Sequence, residues 1–285
     1  MAKTKIALVT DSTSNLIQDQ IDRYNIHVMP LILIWDGESY RDGIDITKDE
    51  FYERLKTAKE LPTTSQPSAG EFHQLFSKIA ETSDGIVGIF ISDQLSGTLD
   101  SARTAAKMMP DEYPIEIIDS RSASMGLGYI ALRTAAAIDE GKIMKEVVDV
   151  ARSAIPTAHA VFVVDTLEFL HRRGRIGGAS RLLGSLVSIK PLLYLEDGLV
   201  EPLAKVRTKK KALQEAIDYV AKDIAGRGSI DATILHASAP AEAEEFKAVV
   251  MKRLQLDEIL VHQLTPVLGA NTGPGLVGIA YITES

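Results

Sequence analysis

The sequence predicts an α/β protein of two domains. The first carries a mostly parallel sheet with flanking helices, and the second a mixed or antiparallel sheet with helices. Three observations carry this reading. A short apolar run, a loop rich in Ser, Thr, Asp and Gly, and an amphipathic stretch recur three times in the first half, as parallel strands joined by right-handed crossovers require. After Pro156 that rhythm gives way to a hairpin and fewer strand-to-helix loops. A chain of 285 residues is also long for a single core. The domains are placed at residues 1–157 and 158–285.

The elements follow in order. KIALVT (5–10) is a buried-strand run, and DSTSN (11–15) supplies N-cap residues for the helical LIQDQIDRY. IHVMPLILIWDGESYRDG (26–43) reads as two strands around Asp36-Gly37, a strong hairpin signal. TKDEFYERLKTAK (47–59) is a capped helix, and Ser68 to Glu71 forms a capping box. GIVGIFI (85–91) and IEIIDS (115–120) are strands, each followed by a polar loop and a helix. HAVFVVD (159–165) is a strand, and TLEFLHRRGRIGGASRLLGSLV reads as two short helices broken at Gly174 to Gly178. PLLYLEDGLVEPLAKV (191–206) is a hairpin turned at Asp197-Gly198. A helix (209–225), the strand DATILHAS, a helix (240–254) and the strand EILVHQL come next. GANTGPGLVGIAY then sets glycines and a proline into or beside an apolar strand, which is expensive as plain structure.

Composition narrows the function classes. Net charge is −8 and pI about 5.3, against a nucleic-acid footprint or an anionic membrane surface. The absence of cysteine excludes disulfides, thiolate nucleophiles and zinc–thiolate sites. No apolar run approaches the ~18 residues of a membrane span, and the N-terminus reads as a strand rather than a signal peptide. A cytoplasmic protein is expected, with at most transient membrane contact.

Three loops, TDSTS (10–14), TTSQPS (63–68) and SDQLSGT (92–98), are expected to meet beyond the carboxyl ends of the first sheet. All are rich in hydroxyls and lack His and Lys, which suits an anion that is held rather than attacked. The ordinary alternative for each is helix capping. No P-loop, GxSxG elbow or HExxH is present, and the six histidines show no metal-ligand spacing and read as surface or capped residues. HRRGR (171–175) and RTKKK (207–211) are either solvated helix ends or a patch for phosphate or an acidic partner. Asp11 could serve as a base in a self-sufficient hydrolase or transferase, although a carboxylate there commonly caps the next helix.

At TDSTS, TTSQPS, LSGTLDSA, GRI, KPLL, KVRTKKKAL and GANTGPG, in this order and over essentially its whole length, the chain resembles the DegV family. These are fatty-acid-binding proteins, some of which act as the substrate-carrying subunit of bacterial fatty acid kinase. The resemblance implies two α/β domains clasping one long-chain fatty acid, with the tail in a tunnel and the carboxylate near the domain junction. It implies Thr64 and Ser96 as carboxylate donors, with Ser65, Gly97 and Thr98 shaping the same pocket. Asn271 and Thr272 would face that pocket from the second domain. Arg175 and Arg207 match arginines used for an ATP-dependent kinase partner or the phosphate it delivers, and neighbouring Arg173 is grouped with them. No catalytic residue, cofactor or metal is implied; the alternatives are the Asp11 enzyme or a lipid sensor with no kinase. Two departures stand out. Asn271 occupies a position where the family often has His, and Arg173-Gly174 stand where it tends to have Gly-Gly.

Overall fold

The computed structural model describes residues 5–185, with Ser185 as backbone only, and 189–284. Leu186 and Val187, at the end of the second predicted short helix, lie outside the described residues.

The chain opens with β1 (Ile6–Asp11), a short 3-10 turn, α1 (Gln18–Tyr24) and β2 (His27–Met29). A meander follows: β3 (Ile32–Trp35), β4 (Glu38–Arg41), α2 (Lys48–Lys56) and β5 (Thr63–Ser65). Then come α3 (Ala69–Ala80), β6 (Gly85–Phe90), α4 (Thr98–Ala106), β7 (Ile115–Asp119), α5 (Met125–Asp139) and α6 (Met144–Ala154). β8 (Ala158–Val163), the short α7 (Glu168–Arg172) and a 3-10 segment lead to the hairpin β9 (Lys190–Glu196) and β10 (Leu199–Val206). The chain closes with α8 (Lys209–Asp223), β11 (Ile230–His236), α9 (Pro240–Leu254), β12 (Leu260–Gln263), α10 (Pro266–Thr272) and β13 (Val277–Thr283).

Three sheets result. β2-β1-β6-β7 is wholly parallel. β10-β9-β8-β13-β11-β12 is antiparallel except for its β11–β12 edge. β4-β3-β5 is a small antiparallel sheet. Local chemistry explains most of the boundaries. Asp36-Gly37 and Asp197-Gly198 all take positive φ (53°, 81°, 48° and 83°), the paired left-handed geometry that closes two-residue hairpins. Thr47 accepts from Glu50 N–H at 3.2 Å while Glu50 accepts from Thr47 N–H at 2.9 Å, and Ser68 and Glu71 repeat the exchange before α3.

Several expectations need correction. The 26–43 segment holds three strands, because His27–Met29 leaves the hairpin to pair in parallel with β1. TTSQPS does not open from the parallel sheet; its first half is β5, paired antiparallel with β3 through Leu33 and Thr64. Ahead of Gly-Pro-Gly stands α10, an element the sequence pattern does not predict, while the apolar strand beside the glycines is β13. Pro266 begins the helix and Gly273 ends it at φ 77°, and Gly275 at φ 85° then releases the chain into β13. His236 and His262 are buried, not superficial.

Both faces of the six-stranded sheet are covered. Val161, Val163, Ile234 and Ile279 pack under α8 and α9, while the alternating Ala160, Phe162, Leu235 and Ala280 face the first half of the chain. Leu127 and Ile130 of α5 belong to that second layer, so one apolar cluster runs from Leu8 to Ile282.

A buried polar seam closes this contact where α10 begins. Asp42 accepts from Ser12 Oγ at 2.7 Å and from Val267 N–H at 3.3 Å. Asn15 Oδ1 accepts from Thr265 N–H at 3.0 Å, and Lys48 Nζ donates to Gln263 O at 2.9 Å. Burial lifts the Asp42 and Asp11 carboxyls to about 6, against the hydrogen bonds that pull them down. It pushes the His262 imidazole down to about 4 and lowers Lys48.

Two outcomes follow. A methyl group at Gly278 would sit 2.6 Å from the Val161 carbonyl oxygen inside the sheet. Gly278→Ala is therefore expected to lose about 1–3 kcal/mol by urea unfolding. Gly70→Ala, whose methyl would meet nothing nearer than Ser68 Oγ at 3.8 Å, should lose nothing. For Asp42, the raised carboxyl contributes stability below its unfolded value near 3.8, lost as pH rises through about 6. Asp42→Asn should accordingly gain on the wild type by up to about 3 kcal/mol between about pH 4 and pH 7. Parallel stability curves for the two proteins would contradict this.

Candidate lipid cavity

A cavity of about 900 Å³, its open mouth included, lies between the carboxyl edge of the parallel sheet and the inner face of the six-stranded sheet. Ile91 follows β6, Ala123 and Ser124 precede α5, and Ala160, Phe162, Leu195, Val200 and Leu235 come from the second sheet. Leu264, Val267 and Leu268 close it from the start of α10. The sheet's alternation places these apolar side chains: residues one step away face α8 and α9 instead.

Polar groups collect at the rim, where the lining residues are partly exposed. Thr64, Ser65, Gln66, Ser96, Arg175, Asn271 and Thr272 stand there. Among the described lining residues Arg175 alone is charged. Its guanidinium is oriented by two carbonyls, Nε donating to Leu95 O at 3.1 Å and Nη1 to Arg173 O at 2.6 Å.

Hydrogen bonding polarises two hydroxyls outward. Asn271 Nδ2 donates to Val267 O at 2.8 Å and to Thr64 Oγ1 at 3.4 Å. The Thr64 oxygen thus accepts, and among the described residues nothing takes its proton. Ser96 Oγ accepts from Thr98 N–H at 3.4 Å and lies 2.8 Å from Thr98 Oγ1. When the fully buried Thr98 donates to it, Ser96 also faces the cavity with a free proton. Two rim hydroxyls able to donate and a cation, with no carboxylate among the described lining residues, are complementary to an anion.

The other sequence-predicted positions divide. Thr272 lines the cavity but donates to Leu268 O at 3.0 Å, so it presents an acceptor. Ser65 likewise donates to Gln66 O at 3.3 Å. Gly97 and Thr98 stand behind Ser96 and do not line the space. Arg173 lies outside it, donating to Leu61 O at 2.8 Å; desolvation, then Arg172 and Arg175, lowers its pKa. Arg207 is exposed at the end of β10, away from the cavity.

TDSTS does not reach the cavity either. Asp11 is fully buried, with Oδ2 accepting from Ile91 N–H at 2.8 Å and Oδ1 from Thr13 N–H at 2.9 Å. It fills the switch point between β1 and β6, where an open parallel sheet would otherwise receive a ligand. Two polar lining residues stand outside the predicted positions: Gln66, although it lies within TTSQPS, and Ser124, which belongs to none of the motifs. Among the described residues no group of three His, Asp or Glu is placed to hold a metal ion, and no helix is long and apolar enough to cross a membrane.

Comparison with known proteins agrees with this architecture. The model of the DegV family, described as uncharacterised proteins, matches residues 5–284. A DegV domain-containing protein of Clostridium perfringens is 37% identical over 283 residues, covering 98% of this chain and 99% of its own. A fatty-acid-binding DegV family protein from Thermus thermophilus superposes with a TM-score of 0.91 at 35% identity, over 99% of this chain and 100% of that one. DegV of Bacillus subtilis, a fatty acid binding protein, gives a TM-score of 0.91 at 30% identity over the same shares. A continuous match of sequence, sheet order and length identifies this chain as a member of the DegV family.

Proposed function

We propose that this chain binds one long-chain fatty acid, with the tail in the cavity and the carboxylate at its rim against Thr64, Ser96 and Arg175. The observation that carries the reading is the polarity of the lining: an apolar interior ending in two outward hydroxyl donors and one cation. Solved DegV relatives described as fatty acid binding support it. Burying about fifteen methylenes at ~0.8 kcal/mol each gives on the order of 12 kcal/mol of gross transfer energy. Association and ordering remove several kcal/mol of that. Charge-assisted hydrogen bonds add about 1.5–3 kcal/mol each. The tail therefore sets affinity, while the rim sets orientation and rejects neutral lipids.

The finer reading is that this is a lipid-binding protein rather than an enzyme. It would hold the carboxylate at an exposed edge for an ATP-dependent fatty acid kinase subunit, which returns the acyl phosphate. The resemblance to substrate-carrying subunits supports it, as does the lack of a P-loop in the chain. Arg175 would face the transferred phosphate, with Arg173 beside it, and Arg207 would meet the partner. An enzyme centred on Asp11 is disfavoured, because both of its oxygens are committed to backbone donors away from the cavity.

Mass spectrometry of natively purified protein should find a co-purified long-chain acid; empty cavities in repeated preparations would refute the fatty-acid reading. Acyl phosphate should form only when a cognate kinase and ATP are added. Thr64→Ala and Ser96→Ala should each weaken binding about tenfold and erode selectivity over the methyl ester. Asn271 does not titrate, so Asn271→His should introduce tighter carboxylate binding as pH falls through about 6.5. An identical pH profile in both proteins would show that position 271 does not face the carboxylate.

A further inference from the structure

The buried residues that line the cavity are apolar with one exception. Ile91, Ala123, Ala160, Leu235 and Leu264 are among them, and Ser124, only 7% exposed, is the polar one. Its hydroxyl is buried with no hydrogen-bond partner. The residue holds φ 55° and ψ −146°, a left-handed φ unfavourable for serine. It also sits at the N-cap of the 15-residue α5, where a serine oxygen ordinarily accepts from the first turn. Here it makes no capping bond and lines the cavity instead. An orphan hydroxyl in an apolar chamber is costly, and a plain hydrocarbon tail would leave it unpaired. A lone water would find in Ser124 the one polar side chain among these buried lining residues, fewer than the roughly two to four partners a buried water takes.

We propose that Ser124 forms a second polar subsite, among the buried lining residues of the cavity, for an oxygen carried on the acyl chain, so that the protein accepts hydroxylated long-chain fatty acids whose substituent reaches it. The inference rests on the fatty-acid reading above and names the ligand class within it. The rim orients the carboxylate, the tail spans the apolar section, and the Ser124 hydroxyl pairs with the substituent. A hydroxyl carried elsewhere along the apolar section is buried without a partner.

The test is competitive displacement of a fluorescent long-chain acid by hexadecanoic acid and its monohydroxylated positional isomers. Wild type, Ser124→Ala and Ser124→Gly are compared, the last relieving the positive φ so that a folded variant is available. The readout is each isomer's affinity relative to hexadecanoic acid for the same protein, so a general change in binding cancels. The wild type should favour a contiguous group of isomers over the rest by about tenfold. Both variants should flatten that profile. A flat profile in the wild type, or a peak that survives in both variants, overturns the subsite. If the wild type bound hexadecanoic acid not at all, the fatty-acid reading would fall first and the subsite with it.

Discussion

The carboxylate of Asp42, from the first half of the chain, accepts the Val267 N–H at the start of the helix that bears Asn271. That contact and its neighbours, Asn15 to Thr265 and Lys48 to Gln263, hold α10 against α2, α7 and the small sheet. Everything distinctive about the cavity depends on this placement. Without it Asn271 would not reach Thr64, and Val267 and Leu268 would not close the apolar chamber. The seam is made of buried charges and dipoles that lose hydration, so it specifies one docking geometry more than it adds net stability. The broad apolar cluster linking the halves supplies the driving force.

The cavity is the remainder of that packing. Its lining comes from the inner face of the six-stranded sheet, the residues after β6 and before α5, and the start of α10. In many open parallel sheets the switch point receives the ligand. Here Asp11 spends both of its oxygens stitching β1 to Ile91 and Thr13, and the binding space moves to the joint between the sheets. Such a site is lined mostly by apolar side chains, as a hydrocarbon chain requires.

At the rim the hydroxyls differ in how they are engaged. Thr64, Ser65, Ser96 and Thr272 all carry hydroxyls, yet Ser65 and Thr272 donate to backbone carbonyls while Thr64 accepts from Asn271 and Ser96 accepts from Thr98 N–H. Asn271 imposes this on Thr64 through one side-chain amide that also bonds its own helix. An amide does so at any pH, where an imidazole would change its charge near neutrality.

Local sequence by itself determined the hairpins at Asp36-Gly37 and Asp197-Gly198, the capped starts of α2 and α3, and the parallel rhythm of the first half. Each depends on residues within a few positions of one another, so the chemistry is written contiguously. The family motifs further marked Thr64, Ser96, Arg175 and Asn271 as residues to examine. Only the tertiary structure decided that Thr64 belongs to a three-residue strand, because β5 forms by pairing with Leu33, some thirty positions earlier. It also turned the stretch before Gly-Pro-Gly into a helix, since Asp42 stabilises that N-terminus from across the seam. The orphan hydroxyl of Ser124 is likewise a product of assembly, because burial and the absence of a partner are properties of neighbours that a linear chain does not reveal.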